Sequence, residues 1–410
     1  MSFQFRHIVL GMLFLASFAR AQVTTNLLYS KMDFFAQHEL YDGNVIRLMG
    51  YTELIGTPID LPSPVLIYNE GDSVDLGMHN FSQAAHHTIH LHGLDVDQAT
   101  DGVPHLSFSI PHDSVGHYQF IAPHAGTYLY HCHVVSTLHV QAGMYGLLIV
   151  RPPDGGNTTW DGGYAFDSEN AWLFSEIDTN WHQNDIINDP YVPGSTVEIL
   201  DYVPQYFMIN GKTETQLSNP ETSIEGSVND AIYMRLANIG NYGNRVIFPA
   251  SLNAQLIDSD GRPLPSAINT DTVELYPGER YGVLLSPDTE FTGNVDVEYI
   301  NMNTQLVEST QEAPVTISGF NTINQWEVEQ EMIVYPNPTQ NDLNVVFNGL
   351  KDYNGTLKIM DVNGKTVLVN NENLNENSTL SLNTASLDKG VYFIQYLSSY
   401  DNLLKKFVRQ

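Results

Sequence analysis

Short apolar runs, each broken after a few residues by Gly, Pro, Asn or Asp, follow one another along almost the whole chain. Runs such as "SPVLIYNEGDSVDLGMHN", "GTYLYHCHV" and "MYGLLIVRP" are rich in β-branched and aromatic residues and have no convincing helical period. Such runs are typical of strands, in which side chains alternate between the two faces of a sheet. The pattern therefore predicts an all-β protein.

Changes in this pattern divide the chain into three blocks. The first covers residues 22–155, and the Pro/Gly-rich stretch "RPPDGGNTTWDGG" separates it from a second β block at 165–317. A polar linker at 318–332 leads into a small third β block at 333–410. Because 410 residues exceed what one core usually holds, we expect these blocks to be separate domains.

The beginning of the chain has a different organisation. A positively charged start precedes an apolar run at residues 8–18, and "ARA" at residues 19–21 closes it. This predicts a secretory signal peptide at residues 1–21 with cleavage before Gln22, and the run is too short to span a membrane. We therefore expect the mature chain to be exported.

The charge balance is strongly acidic, with 17 Lys and Arg against 47 Asp and Glu and a formal net charge of -30. Nucleic acid is not an expected partner, because few cationic side chains are present to neutralise phosphates. An acidic surface would attract cationic metals or amines, although a solvated acidic exterior is the more common explanation.

The chain has one cysteine, Cys132, and most of its histidines lie near it in the sequence. All 15 histidines lie at or before His182, and most of them fall between His86 and His139. An exported chain with one cysteine has no internal disulfide, so Cys132 is either a buried thiol or a metal ligand. The surrounding imidazoles favour the ligand.

Strand alternation sorts these side chains into two sites. In "HTIHLHG", His90 and His92 share one face and His87 points to the other. In "YHCHV", the two histidines share a face opposite to Cys132. If the strands are neighbours, one site holds His87 with the thiol. The other site holds four histidines, namely His90, His92, His131 and His133.

The thiol site acquires the donors of a blue-copper centre if later residues join it. His139 and Met144 follow Cys132, and two imidazoles, a thiolate and a weak axial thioether form the trigonal electron-transfer site of copper. Zinc fits less well, because methionine is a weak zinc ligand and structural zinc sites prefer more thiolates. Four histidines suit copper ions that bind oxygen species, and the peptide chain at Cys132 joins the two sites.

At these residues the chain resembles the multicopper oxidases, the family that includes laccases and copper nitrite reductases. "HTIHLHG" is similar to the family's His-Pro-x-His-x-His-Gly strand, and "HCHVVSTLHVQAGM" is similar to its His-Cys-His segment. The resemblance implies that type 1 copper is held by His87, Cys132, His139 and Met144. It implies type 2 and type 3 copper ligands at His90, His92, His131 and His133.

Other stretches extend the resemblance. Asp101, in "DQATDGVP", matches an acidic residue that relays protons in several relatives, although a plain Asp-Gly turn is the alternative. "FMINGK" and "VELYPGERYGVLL" resemble the family's middle domain, which carries no copper, so the implied fold is two cupredoxin-like Greek-key β-barrels or sandwiches. "YPNPTQNDLNV" and "LKIMDVNGKTVL" resemble the type IX secretion C-terminal sorting domain, a small β-sandwich. That domain implies export through the periplasm and outer membrane, to the medium or the cell surface, by the type IX secretion machinery.

The chain departs from the family in its number of histidines. A full oxidase reduces dioxygen at a trinuclear centre held by histidines from two copper-bearing domains, and this chain supplies one half of that set. We expect a homo-oligomer in which two copies of the first block pair about a two-fold axis to complete the centre. A reducing substrate would then deliver electrons at His139, the ligand expected to face solvent.

Three functions remain open. The leading one is an exported copper oxidase that takes electrons from a phenol, an amine or a metal ion and passes them to dioxygen. The second is a blue-copper electron carrier or copper-binding protein without a complete trinuclear centre. The third, a copper nitrite reductase, is disfavoured because no histidine follows His182 and an aspartate usually stands where His90 is. The histidines expected to be merely solvated or supporting are His86, His105, His112, His117 and His124.

Overall fold

The protein is described from a computed structural model. The described residues are 23–32, 38–82, 85–183, 200–319, 331–348, 350, 355–362, 364–370, 379–398 and 402–410. The predicted signal peptide at residues 1–21 and most of the predicted linker at 318–332 lie outside them. The chain divides into two compact units, residues 1–321 and 322–410.

The first part of the larger unit is a sandwich of two four-stranded sheets. A separate two-stranded sheet of β2 and β3 accompanies them. The strands of this part are β1 (Val23–Met32), β2 (His38–Glu39), β3 (Val45–Ile46), β4 (Met49–Thr52), β5 (Leu66–Asn69), β6 (Ser73–Asn80), β7 (His90–His92), β8 (Ser114–Ile121), β9 (Gly126–His131) and β10 (Tyr145–Arg151). One sheet has the order β4-β1-β6-β8 and the other β5-β10-β9-β7. The β1–β6 and β5–β10 pairs are parallel, and the other pairs are antiparallel.

Strand β9 is buried on both of its faces. Tyr128 and Tyr130 belong to the core between the two sheets, whereas Leu129 belongs to a second apolar cluster shared with the next sandwich. Residues on alternate positions of a strand point to opposite faces, so one strand serves both clusters. This central position fixes the residues that immediately follow His131.

The second part of the larger unit is another sandwich, made of a six-stranded and a five-stranded sheet. Its strands are β11 (Ser168–Ile177), β12 (Tyr206–Ile209), β13 (Ile224–Ser227), β14 (Ile232–Asn238), β15 (Gly243–Ile247), β16 (Gln255–Ser259), β17 (Arg262–Asn269), β18 (Thr272–Leu275), β19 (Arg280–Leu285), β20 (Phe291–Ile300) and β21 (Val307–Ser318). The sheet orders are β12-β11-β14-β19-β16-β17 and β13-β21-β20-β15-β18. Its own apolar core includes Trp172, Phe174 and Phe248.

Helical structure is limited to short pieces in the described residues. These are one α-helix, α1 (Ser136–Gln141), and 3-10 turns at Gln98–Thr100, Thr179–His182, Glu214–Ser218 and Ala250–Leu252. Because the rest of the regular structure in these residues is strand, the all-β prediction is confirmed.

The two sandwiches contact each other through apolar and charged side chains. Leu129 and Leu147 of the first pack with Leu173 and Met208 of the second in one buried cluster. Arg235 of the second sandwich is fully buried. A buried charge needs close partners, and Arg235 has one across this contact, since its Nη1 donates to Thr127 Oγ1 at 3.2 Å.

The smaller unit is a two-layer β-sandwich with its own apolar core. Its strands are β22 (Glu331–Tyr335), β23 (Asp342–Asn348), β24 (Thr356–Asp361), β25 (Thr366–Asn370), β26 (Thr379–Asn383), β27 (Gly390–Leu397) and β28 (Asn402–Arg409). They form sheets with the orders β22-β23-β26 and β25-β24-β27-β28. In the described part of the chain, no helix is long and apolar enough to cross a membrane.

Candidate metal centre

Strands β7 and β9 are antiparallel neighbours, which brings the two histidine-rich stretches together. His90 lies opposite His131, and His92 lies opposite Leu129. Cys132 comes directly after β9, and His87 is held three residues before β7 by a bridge to Ile110. The arrangement on which the alternation argument depends is therefore present in the fold.

The thiol of Cys132 lies between two imidazole rings in the core of the first sandwich. Its Sγ is 3.6 Å from Nδ1 of His87 and 3.3 Å from Nδ1 of His139. The two ring centroids are 4.7 Å apart. All three side chains are buried, so water has little access to this group.

A short helix returns His139 to Cys132. Val135 begins it with a left-handed backbone, and the N–H of His139 donates to the Val135 carbonyl over 3.0 Å. After the helix, the Met144 N–H donates to the His139 carbonyl and the Cys132 N–H donates to the Met144 carbonyl, both at 3.0 Å. The Met144 side chain is fully buried in the same core as Cys132.

Gly143 makes the tight return after α1 possible. Its φ of +112° lies in the left-handed region, and a Cβ there would lie 2.7 Å from the carbonyl oxygen of Met49. Only glycine meets both conditions without strain. The backbone conformation between His139 and Met144 therefore requires glycine at position 143.

Burial keeps all three donors of the thiol site neutral in the absence of a cation. It lowers the pKa of His139 to about 4 and the pKa of His87 well below its usual value. It raises the pKa of the Cys132 thiol to about 11. Neutral imidazoles offer lone pairs at neutral pH, whereas the thiol would lose its proton only to a bound metal ion.

The four other histidines form a second cluster on the opposite face. Nδ1 of His92 is 3.2 Å from Nε2 of His131. The His90 ring centroid is 5.6 Å from that of His92, 5.1 Å from that of His131 and 5.2 Å from that of His133. His131 is buried and the other three rings are half-buried, so this cluster opens toward the surface.

Backbone carbonyls orient two of these rings. Nδ1 of His90 lies 2.8 Å from the Asp101 carbonyl, and Nδ1 of His131 lies 3.0 Å from the Cys132 carbonyl. A carbonyl only accepts, so both Nδ1 atoms carry the proton and both Nε2 atoms keep a lone pair. Burial lowers the pKa of His131 to about 3 and that of His92 to about 4, which keeps these rings neutral.

Asp101 lies beside the second cluster. It follows the 3-10 turn at Gln98–Thr100, and its Oδ1 is 3.4 Å from Nδ1 of His90. Gly102 keeps the chain close, since a Cβ there would lie 1.9 Å from the carbonyl oxygen of Ile89. The Asp-Gly turn and a contact with His90 are both present, and the proton-relay role of Asp101 stays a prediction.

The remaining histidines of this region have other partners. Nδ1 of His86 contacts Ser109 Oγ at 2.9 Å, and Nδ1 of His112 donates to the Ser82 carbonyl at 2.7 Å. His117 pairs with Asp75 at 2.8 Å. His124 lies 3.8 Å from Asp95, and His105 is exposed. None of these five belongs to either group of converging donors among the described residues.

The expectation that His139 faces solvent is wrong. Its side chain is 2% exposed. Its ring turns into the core of the first sandwich, where Nδ1 lies 3.3 Å from Cys132 Sγ and the ring centroid lies 4.7 Å from that of His87. A contact between residues so distant in the sequence left no local signal from which this burial could have been predicted.

The second sandwich also contacts the histidine cluster, a contact that the sequence pattern does not predict. A Cβ on Gly278 would lie 3.2 Å from Nε2 of His92, and Arg280 follows two residues later. The stretch "YPGER" contained the signal, because Pro-Gly predicts a tight turn. Nothing local in the sequence showed which surface that turn would meet.

Three family models match parts of this chain. Residues 40–155 and 179–316 each match a family model described as multicopper oxidase, and residues 333–410 match a secretion system C-terminal sorting domain. The sorting-domain match indicates export, to the medium or the cell surface.

Individual relatives have names of the same kind. The chain is 36% identical to copper resistance protein A of Pseudomonas syringae pv. tomato over 154 residues, which are 37% of this chain and 22% of that protein. It is 27% identical to L-ascorbate oxidase of Cucumis sativus over 260 residues, 57% of this chain and 42% of that protein. The chain thus spans less than half the length of these curated relatives.

A solved structure supports the fold. The blue copper oxidase from Nitrosomonas europaea superposes with a TM-score of 0.56 at 26% identity, covering 73% of this chain and 86% of that one. The predicted cupredoxin-like β-sandwiches are confirmed by this likeness and by the two-sheet layers described above.

Proposed function

Because the chain belongs to the multicopper oxidase family, we propose that it is an exported oxidase that takes single electrons from a reducing substrate and passes them to dioxygen. The main support for this proposal is the position of Cys132. Its sulfur faces two imidazoles, and its two neighbours in the chain belong to the separate histidine cluster. Both donor sets suit copper, since a soft sulfur with two nitrogens selects it and imidazoles also bind it.

The residues proposed as ligands divide between the two sites. At the type 1 site they are His87, Cys132, His139 and Met144. At the type 2 and type 3 sites they are His90, His92, His131 and His133. Copper bound at these residues supplies one-electron redox chemistry and the reduction of dioxygen to water.

The chain itself supplies the connection between the sites. The Cys132 carbonyl accepts a hydrogen bond from Nδ1 of His131 at 3.0 Å, so a covalent and a hydrogen-bonded link run in parallel. Dioxygen reduction to two waters needs four electrons and four protons, and each substrate molecule gives one electron at a time. Asp101, at 3.4 Å from Nδ1 of His90, is the proposed source of protons.

A second copy of the chain is proposed to complete the histidine cluster. In the first sandwich the ligand atoms of His90, His92 and His131 lie within 4.8 Å of one another, whereas His133 is placed beside them only by its ring, 5.2 Å from that of His90. None of the described residues of the second sandwich adds a further imidazole. Pairing two such faces about a two-fold axis would place eight histidines around one centre. The substrate is proposed to be a phenol, an amine or a low-valent metal ion.

Native mass spectrometry with copper quantification tests this proposal. A symmetric pair predicts two type 1 coppers and one shared trinuclear cluster, roughly five coppers per two chains. About four coppers per chain, or full dioxygen reduction by a monomer, would contradict the shared cluster. Absence of any blue thiolate absorption would contradict the type 1 assignment itself.

A blue-copper electron carrier remains the second candidate, and the incomplete set of histidines is the observation that favours it. Dioxygen uptake with a phenolic donor distinguishes the two functions. Uptake that scales with the copper content of the histidine cluster supports the oxidase, whereas a reducible blue centre without uptake supports the carrier. Turnover that depends on nitrite would indicate the third function, a nitrite reductase.

Export by the type IX machinery is proposed from the third domain. The match at residues 333–410 and the separate compact unit that contains it support an address domain distinct from the copper-bearing part. The proposed route is through the periplasm and across the outer membrane. Retention inside the cell of a chain that lacks residues 333–410 would support this role.

A further inference from the structure

A cleft of about 1030 Å³ lies between the two sandwiches of the larger unit. One wall is the segment between β4 and β5 of the first sandwich, and the other is the start of β11 with the turn after β12 of the second. The walls meet where a Cβ on Gly211 would lie 1.8 Å from the Leu61 carbonyl oxygen. The volume is that of a site for a small organic molecule rather than for a single ion.

Carboxylates dominate the charged side chains of this cleft, and they belong to Glu39, Glu53, Asp60, Glu169 and Glu221. Glu169 pairs with two arginines, and Glu221 pairs with Lys212 at 2.8 Å. Among the described residues, no ion pair engages the other three carboxylates, all of which are exposed. Burial lowers the pKa of His38 in the same lining, although Asp60 acts in the opposite direction, so this ring adds no charge at neutral pH. The cleft therefore has an excess of negative charge.

The lining favours an organic cation over a bare metal ion. In the part of the chain that the structure describes, three donors converge closely enough for a metal only in the two histidine-containing groups, and neither group lines the cleft. Leu54 and Val65 line the cleft and are 54% and 44% exposed. Apolar side chains beside unpaired carboxylates suit a molecule that has both an apolar ring and a positive charge.

Tyr51 lies fully buried beneath the cleft and extends toward Cys132. Its N–H donates to Oγ of Ser63, a residue of the cleft wall, at 3.1 Å. Its hydroxyl donates to the Thr88 carbonyl at 2.6 Å, and Thr88 Oγ1 accepts from the His133 N–H at 2.9 Å. One side chain therefore connects the cleft wall with the backbone beside Cys132.

Tyr130 extends in the opposite direction. It precedes Cys132 by two residues, and its hydroxyl donates to the carbonyl of Pro64, in the cleft wall, at 2.6 Å. Its ring centroid lies 5.6 Å from that of Tyr51, a distance typical of aromatic pairs. Burial, and to a smaller extent the Glu53 carboxylate, hold the pKa of this hydroxyl well above its usual value. Two neighbouring aromatic rings thus lie between the cleft and Cys132.

Both imidazoles of the thiol site are buried, so a reductant needs another approach to it. We propose that the cleft between the sandwiches binds the reducing substrate, and that this substrate is an electron-rich aromatic ring with an ammonium group. Glu53 and Asp60 attract the ammonium group, and the apolar wall holds the ring. Tyr51 and Tyr130 then connect the ring with Cys132. The role as substrate rests on the proposed function, whereas binding of the cation does not.

A catechol ring shows how atoms and electrons balance in this reaction. Each catechol loses two electrons, one at a time, together with two protons, and becomes a quinone. Two catechols therefore supply the four electrons and four protons with which one dioxygen becomes two waters. The ammonium group takes no part in this chemistry and serves only in binding.

The first experiment measures binding to the metal-free full-length protein by isothermal titration calorimetry. Dopamine and 3,4-dihydroxyphenylacetate share the catechol ring and have side chains of opposite charge, so this pair separates the effect of charge from that of the ring. At low ionic strength we expect dopamine to bind about 10-fold more tightly, and added salt to reduce the difference. Equal affinity for the two catechols would overturn the proposal.

A double variant, Glu53→Gln with Asp60→Asn, locates the binding site. Both side chains are exposed, so the fold should persist, and we expect the affinity for dopamine to fall about 3- to 10-fold. Asp288→Asn with Glu290→Gln is the matched control, because it removes the same charge from exposed positions that do not line the cleft. An equal affinity of the two double variants for dopamine would overturn the proposal, since only net charge would then matter.

The second experiment uses the copper-loaded protein without dioxygen and follows the loss of the blue absorption when dopamine is added. We expect the cleft double variant to need about 3- to 10-fold more dopamine for the half-maximal rate and to keep the limiting rate of the wild type. Equal half-saturation in the cleft variant and the matched control would overturn the cleft as the substrate site. Wild-type protein that binds dopamine as expected but holds no copper would contradict the proposed function and leave the cation site standing.

Discussion

At the scale of single residues, Cys132 shows how burial prepares a thiol for a metal. No part of its side chain is exposed, and burial raises its pKa to about 11, although the Thr88 backbone and hydroxyl and the Tyr51 hydroxyl act in the opposite direction. A neutral thiol in this position is inert toward most reagents. The same position becomes a strong ligand once a cation displaces the proton.

Replacing Cys132 by serine is expected to abolish the blue absorption and to remove one copper per chain. Serine occupies nearly the same space, so the fold should persist, but its oxygen lacks the soft sulfur that selects copper. Copper quantification and absorption spectroscopy measure both effects. Retention of the blue band in Cys132→Ser would show that the thiol is not a ligand.

The Asp101→Asn substitution separates the carboxylate from the backbone at that position. The Asp101 carbonyl still accepts from Nδ1 of His90, so copper content should stay at the wild-type level. Loss of a positioned proton donor typically costs about 100-fold or more in turnover. Oxygen uptake across a pH series measures the loss, and wild-type turnover at every pH would restrict Asp101 to the turn.

At the scale of secondary-structure elements, the contacts between β7 and β9 were predictable and the docking of α1 was not. Alternation fixed which faces His87, His90 and Cys132 share, because the side-chain period of a strand is a local property. The docking of α1 includes a hydrogen bond from Gln141 to the Glu176 carbonyl on another sandwich. Such a contact depends on tertiary packing, and no periodic pattern in the sequence encodes it.

A second buried histidine, His182, links a 3-10 turn to the backbone of the first sandwich. His182 ends the 3-10 turn at Thr179–His182, and its Nδ1 donates to the Arg47 carbonyl over 2.6 Å. Burial lowers its pKa to about 4, although the Arg47 carbonyl and Asp178 act in the opposite direction. The ring is therefore neutral in the folded protein at pH values where the unfolded chain already binds a proton.

The free energy of unfolding is expected to fall as the pH drops from 7 to 5. His182 has a pKa of about 4 when folded, below the usual 6.5, so between these values only the unfolded state is protonated and the folded state loses stability. At pH 5 this one group accounts for about 2 kcal/mol. Urea denaturation of metal-free protein at pH 7 and pH 5 measures the free energy of unfolding. The decrease between the two pH values should be smaller in His182→Gln, by about 2 kcal/mol. An equal decrease in the free energy of unfolding for the wild type and His182→Gln would contradict the claim that this ring is buried and neutral.

At the scale of the whole molecule, a charged contact joins the two sandwiches of the larger unit. The guanidinium of Arg235 pairs with Glu169 at 3.0 Å, lies 4.4 Å from the Tyr233 ring centroid and donates to Thr127 Oγ1 of the first sandwich at 3.2 Å. Arg151 of the first sandwich pairs with the same carboxylate. One carboxylate thus serves arginines from both sandwiches.

Replacing Glu169 by glutamine is expected to destabilise the larger unit by about 3 kcal/mol, because it removes the carboxylate that pairs directly with the fully buried Arg235. Tyr233 and Thr127 remain as partners but carry no negative charge. Thermal unfolding of Glu169→Gln measures this effect, and Glu221→Gln is the control, because Glu221 is exposed where it pairs with Lys212. A change in stability no larger than that of the control would contradict the importance of this contact.

The continuity of residues 131–133 has a consequence for the speed of the proposed reaction. Two peptide units fix the separation between the sulfur-bearing site and the imidazole quartet, so rocking of one sandwich against the other leaves that separation unchanged. Internal charge transfer should therefore respond little to solvent viscosity, whereas the encounter with an external reductant should slow as viscosity increases. The slow step of the reaction, and the one that the solvent can change, would then be the encounter with the reductant at the protein surface.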